Sequence, residues 1–193
     1  VTTLFWGAGA TLQFIVLLWA QVNLNMTLDK AAMLQGIVAV GIILGSVIAG
    51  KLISLKNSIK ILPTGILMGL VVPMMTLTSS IIPASVLLII IGVLAGSFVV
   101  PMNALLQHRG YVTLSAGQSI AVQNFNENLN VLFMLGIYSF LLYANIEVNT
   151  IVAIFGVFVA ITMWAVTVKC TRNQKKVNFD TMIGDKRAAT LQK

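Results

Sequence analysis

Six stretches of about 20 mostly apolar residues, the length that crosses a roughly 30 Å hydrocarbon layer, limit this chain more than any motif does. They fall at Val1–Val22, Lys30–Ser54, Ile61–Thr78, Ala84–Gln107, Ala116–Tyr143 and Thr150–Lys169. Soluble domains are about 25% charged, whereas this chain is 9% charged and 58% hydrophobic. It reads as an all-α integral membrane protein of six transmembrane helices followed by a polar tail, Cys170–Lys193. Trp6 and Trp19, near the two ends of the first span, read as interface anchors. Pro63 stands at the start of the third span, where its missing N–H does no harm. Pro73 and Pro101 are expected to bend the third and fourth spans.

The net charge of +7 is spread over short loops and the tail rather than gathered on one face or arm, which argues against nucleic acid as a partner. A single cysteine, Cys170, excludes an internal disulfide framework, and a single histidine, His108, excludes His-x-His metal sets. No nucleophile–base pair stands out, so neither an enzyme nor a cofactor or metal site is expected. The connections after the first, third and fifth spans are poor in Lys and Arg. Those after the second and fourth, with the tail, hold Lys51, Lys56 and Lys60, then Arg109, then Lys169, Arg172, Lys175 and Lys176. By the positive-inside rule both ends of the chain are cytoplasmic. The chain also opens on Val1 directly inside an apolar run, which suggests a fragment with an upstream part missing.

The fifth span departs from the rest. Its first half carries Gln118, Gln123, Asn124, Asn126, Glu127, Asn128 and Asn130, and a carboxylate near the bilayer centre costs about 3 kcal/mol. At roughly 100° per residue, Gln123, Asn126, Glu127 and Asn130 share an arc of about 100°. A face of that kind belongs against a bundle interior or a watery cavity. Orientation and spacing place Glu127 near the midplane, with Gln13 of the first span at a similar depth. Small-xxx-small pairs, Gly41 with Gly45, Gly45 with Ala49, Gly65 with Gly69 and Gly92 with Gly96, permit close helix packing. In each set of three spans the third is the most uniformly apolar, while Gln13, Gln35, Asn103 and Glu127 fall in the first two of each set. Three is odd, so the two sets have opposite orientation, the inverted three-plus-three plan of a major facilitator half.

Val100–Gly110, VPMNALLQHRG, and Ser115–Asn128, SAGQSIAVQNFNEN, resemble the bacterial lysophospholipid transporters of the major facilitator superfamily. So do Thr3–Phe14, Leu28–Gly36 and Leu55–Gly65. The resemblance runs over about the first 168 residues and covers the C-terminal six-helix half of such a transporter. It implies movement of lysophosphatidylethanolamine and lysophosphatidylglycerol from the outer to the inner leaflet of the bacterial inner membrane. There an acyltransferase–acyl carrier protein synthetase re-acylates them. The family often carries an arginine before the tryptophan of this first span, a plausible phosphate contact. Leu18 stands there before Trp19, so the anionic head group is met elsewhere or the preference differs.

The candidate substrate-binding residues are Glu127, Gln123, Asn126, Asn130, Gln13 and Asn103. Amides donate and accept without strong charge, which suits exchange among phosphate, hydroxyl and water. Glu127 suits an ethanolamine ammonium, or a coupling proton or cation. Against this stands a purely structural role, with the amides bonding neighbouring helices and Asn103 satisfying carbonyls freed by Pro101. Gln107, His108 and Arg109 read as a solvated loop at the rim, and Lys51, Lys56 and Lys60 as topology determinants. Two other functions compete: a facilitator of drugs or small solutes, and a non-transporting membrane scaffold.

Overall fold

In the computed structural model, residues 2–113 and 116–176 are described, and among them all regular structure is helical. The six α-helices are α1 Thr2–Asn23, α2 Leu28–Leu52, α3 Leu62–Val71, α4 Ile81–Thr113, α5 Ala116–Tyr143 and α6 Val148–Lys176. Five helical stretches are long and apolar enough to cross a membrane: α1, α2, Ser58–Leu77, Ile81–His108 and Val148–Arg172. The helix outside that set is α5, which has 28 residues but whose polar first half dilutes its apolar character. The fold is that of an all-helical, multi-pass membrane bundle.

The third span is composite. Two 3₁₀ segments, Leu55–Ile61 and Val72–Leu77, bracket the ten-residue α3. Pro63 lies in the first turn of α3 and Pro73 at the start of the second 3₁₀ segment, where each removes a backbone donor. α4 instead accommodates Pro101 within 33 residues and runs on to Thr113. Gln107, His108 and Arg109 therefore ride on a helix rather than a loop. α6 continues to Lys176, past Lys169; the rest of the tail lies outside the described residues.

Helix α5 ends in a left-handed cap. Asn145 adopts φ 56°, Ile146 N–H reaches the Leu141 carbonyl at 3.1 Å, and Asn145 N–H reaches that of Leu142 at 3.0 Å. Asn25, at φ 50°, turns the chain between α1 and α2. Asparagine is one of the few side chains that tolerate this backbone region.

Helix pairing follows the glycines. α2 lies on α4, α3 on α6 and α1 on α5. A Cβ on Gly45 would run into the Val93 carbonyl, and one on Gly96 into that of Ile42. Gly41 and Gly92 face each other across the same interface, and Ser97 Oγ donates to the Gly45 carbonyl at 3.2 Å. Between α3 and α6, Gly69 fits against Ala160 and Gly156 against Pro73. Between α1 and α5, Gly7 fits beneath the Asn130 side chain.

This pairing has the symmetry of an inverted repeat. Shifting each helix by three converts the α1–α5 contact into α4–α2 and returns α3–α6 to itself. Likewise α1 against α2 maps onto α4 against α5, and α3 against α4 onto α6 against α1; all four contacts occur. The core between the pairs holds Ile15, Leu88, Ile91, Ile151 and Met163, with Phe5 stacked on Phe98 at 4.9 Å. Trp19 belongs to this core at 0% exposure, so it is not an interface anchor. Trp6 is 41% exposed.

Gly45→Val should therefore destabilise the bundle by about 1–3 kcal/mol, since the α2 and α4 backbones must separate. Gly50, where a Cβ meets nothing within 4 Å, should accept alanine with unchanged or slightly higher stability. Thermal unfolding of the purified protein in detergent checks both.

Candidate functional site

Helix α5 turns Ser119, Gln123, Glu127, Asn130, Met134 and Tyr138 inward to varying depth, and leaves Val122, Phe125, Leu129, Leu132, Phe133 and Phe140 exposed. Ser119, Gln123, Glu127 and Asn130 thus lie on the packed side, while Gln118, Asn124, Asn126 and Asn128 share the open side with the apolar residues. That arrangement suits a helix whose outer surface meets lipid. Within the stripe, the Gln123 amide donates to Glu127 Oε1 at 2.8 Å. These residues are four apart, one turn along a common face. Both are half-buried. Asn130 reaches across to α1 and donates to the Thr3 carbonyl at 2.9 Å, directly over Gly7. Asn126 is exposed at the stripe's edge. On the far side of the helix, Asn128 donates to the Asn124 carbonyl one turn back at 2.9 Å.

Asn103 lies on α4 at the level of this stripe. Gly110 of α4 meets Ser119 of α5 where the antiparallel pair begins. Asn103 is seven residues back from Gly110, and Glu127 eight residues on from Ser119. Both therefore lie roughly 10–12 Å from that contact. Asn103 is half-buried, and its Oδ1 is fully buried without a hydrogen-bond partner. That oxygen is a buried, unpartnered acceptor at about the level of the Gln123–Glu127 pair.

Gln13 is elsewhere. Helices α1 and α5 run parallel, with the end of α1 tied to the start of α6 by Asn149 Nδ2 donating to Asn23 Oδ1 at 3.1 Å. Asn130 is held beside Thr3 and Gly7, so Glu127, one turn earlier, is level with the very start of α1. Gln13 is roughly 16 Å further along the axis. It is also about 100° around α1 from the Thr3–Gly7 line, on the side that meets α2. The expectation that Gln13 and Glu127 share a depth is corrected by this offset: the register of α1 against α5 is fixed by Gly7 and Asn130, not by counting from span ends.

Gln13 instead lines a cavity of about 370 Å³ enclosed by α1, α2, α4, α6 and the composite third span. Helix α5 contributes nothing to its lining, so Gln13 does not share this cavity with Gln123, Asn126 or Asn130. The walls are almost wholly apolar. Besides the Trp6 indole, the hydrogen-bonding side chains are Gln13 and Gln35. Gln35 Nε2 donates to the Gln13 carbonyl at 3.0 Å, bridging α1 and α2. Sequence reading noted Gln35 as an intramembrane amide without placing it in a site; the signal was present, the pairing was not.

Among the described residues no group of three or more His, Cys, Asp or Glu is placed to hold a metal ion.

Sequence comparison places relatives beside this geometry. The chain is 48% identical over 166 residues to a protein of Shigella flexneri named Lysophospholipid transporter LplT. It is 48% identical to the like-named protein of Escherichia fergusonii and 46% to that of Salmonella arizonae, over the same length. The match takes in 85% of this chain and 42% of each relative, so the chain spans about two fifths of the length of the curated relatives it matches. No protein-family model and no solved structure matches.

The Asn130–Gly7 contact is open to a thermodynamic cycle. Asn130→Ala should cost about 0.6–2 kcal/mol of bundle stability through the lost interhelical bond. Gly7→Ala should cost more, because its Cβ meets the Asn130 amide. Combined, the two should cost less than their sum, since truncating Asn130 vacates the space. Unfolding free energies of the two single variants and the double variant measure this coupling.

Proposed function

We propose that this chain is the C-terminal six-helix half of a lysophospholipid transporter. Its cargo would be lysophosphatidylethanolamine and lysophosphatidylglycerol, moved from the outer to the inner leaflet of a bacterial inner membrane. An acyltransferase–acyl carrier protein synthetase would re-acylate the product, and an upstream six-helix half would complete the path. The alternation of basic connections puts both ends of the chain on the cytoplasmic side. The support from sequence is 48% identity to proteins named for lysophospholipid transport.

The observation that carries the reading is the half-buried Gln123–Glu127 pair, with the unpartnered Asn103 Oδ1 at its level. A carboxylate inside a bundle is costly and ordinarily functional. One Glu127 oxygen is occupied by Gln123, leaving the other for an ethanolamine ammonium or a coupling cation. Gln123 orients the carboxylate, the half-buried Asn103 puts an amide at the same level on α4, and the exposed Asn126 offers an amide for phosphate or hydroxyl. Asn130 serves differently: its bond to Thr3 fixes α5 against α1 and holds the stripe in place. That same bond favours a second reading, in which the α5 amides only knit the bundle of a membrane scaffold.

Uptake of lysophosphatidylethanolamine by spheroplasts carrying the full-length protein separates the two. Wild type should transport, and Glu127→Gln should lower the rate about tenfold or more, as loss of one buried charge-assisted contact does. Full activity with an unaltered pH profile in that variant would remove Glu127 from the mechanism. Absence of uptake by correctly inserted wild type would leave the scaffold.

A further inference from the structure

The cavity beside Gln13 is not explained by a head-group path along α5. Its mouth is formed by Trp6 and Gln13 of α1 with Ala39 and Ile42 of α2, all exposed. Its floor reaches Val72, Leu88, Ile91 and Phe155, each nearly or fully buried. A chamber of such walls gives water no partners and stays dry unless something apolar enters. The amides stand where the apolar part ends. Gln35 spans the gap to the Gln13 carbonyl, and the Gln13 amide itself is exposed there. Gly9 also lines the cavity, and a Cβ on it would meet nothing within 4 Å, so the space extends up to the α1 backbone.

We propose that this cavity is an acyl-chain site within the six-helix unit. One tail of a single-chain amphiphile enters between α1 and α2 and lies against Leu88, Ile91 and Phe155. Its glycerol hydroxyl meets the Gln13 and Gln35 amides at the mouth. At about 370 Å³ the chamber lies at the small end of ligand pockets, suited to one chain rather than two. For the class of amphiphile the proposal rests on the transport reading above, but the site is separate from the α5 stripe.

The test uses the full-length protein in lipid nanodiscs and a lysophosphatidylethanolamine whose palmitoyl chain ends in a diazirine. After illumination, adducts should map to Leu88, Ile91 and Phe155. Gly9→Leu fills the open space and should reduce labelling about tenfold, as expected when roughly two methylenes lose their site. Ala39→Leu at the mouth should act in the same direction and guards against a folding defect peculiar to Gly9. Adducts confined to α5 or the outer surface, no adduct, or equal labelling of both variants and wild type would overturn the proposal. So would equal competition by two-chain phosphatidylethanolamine, which would mark a site for bulk lipid. Labelling in the cavity without uptake in spheroplasts would uphold the acyl site and remove the transport reading; uptake with labelling elsewhere would do the reverse.

Discussion

Contact between helix backbones at glycine is the constraint on which this bundle depends. In lipid, burying apolar side chains gives helices no reason to associate, so close packing and interhelical hydrogen bonds must supply it. The interface between α2 and α4 is built on four glycines that each leave room for the opposite backbone. The α3–α6 and α1–α5 interfaces repeat the device with Gly69, Gly156 and Gly7. Because the three close pairs are related by the three-helix shift, a single packing rule generates both halves of the repeat. The rule also determines what stays open: α1 is drawn to α5 and α2 to α4, and the space left between α1 and α2 becomes the cavity.

Helix α5 shows how a polar face is accommodated under that rule. An isolated amide or carboxylate in hydrocarbon is costly, and the cost is reduced here by three different partners. Gln123 and Glu127 satisfy each other along the helix. Asn130 finds a backbone carbonyl on α1. Asn128 turns back on its own helix. Of these three, the Asn130 bond alone ties helices together, so the stripe is not uniform. One end is cemented, while the Gln123–Glu127 end, level with the start of α1, keeps hydrogen-bonding capacity in reserve.

Much of this was legible in the sequence, and the parts that were not share one cause. Apolar length marked five helical stretches able to cross a membrane, and glycine spacing marked close-packing faces on α2 and α4, at Gly41 and Gly45 and at Gly92 and Gly96, without pairing them. Helical periodicity put Gln123, Glu127 and Asn130 on one face. Each of these is a property of a single helix. The relative depth of Gln13 and Glu127 is a property of two helices, set where Asn130 drops over Gly7. Trp19 failed for the same reason: its place near a span end suggests the interface, yet α1 turns it into the core. The distinction between a helical rim and a loop at Gln107–Arg109 turned on how far α4 extends, and no capping residue there announces the end.

The structure separates an apolar cavity from a polar helix stripe. The cavity offers apolar depth with amides at its mouth. The α5 stripe offers a carboxylate and amides without apolar depth. They lie roughly 16 Å apart along the bundle axis and on different sides of α1. A small polar solute would have no use for the first, and a hydrocarbon none for the second. An amphiphile with one tail and a zwitterionic head is the ligand class whose two parts match the two environments, which is why the proposed reading assigns the tail to one and the head to the other.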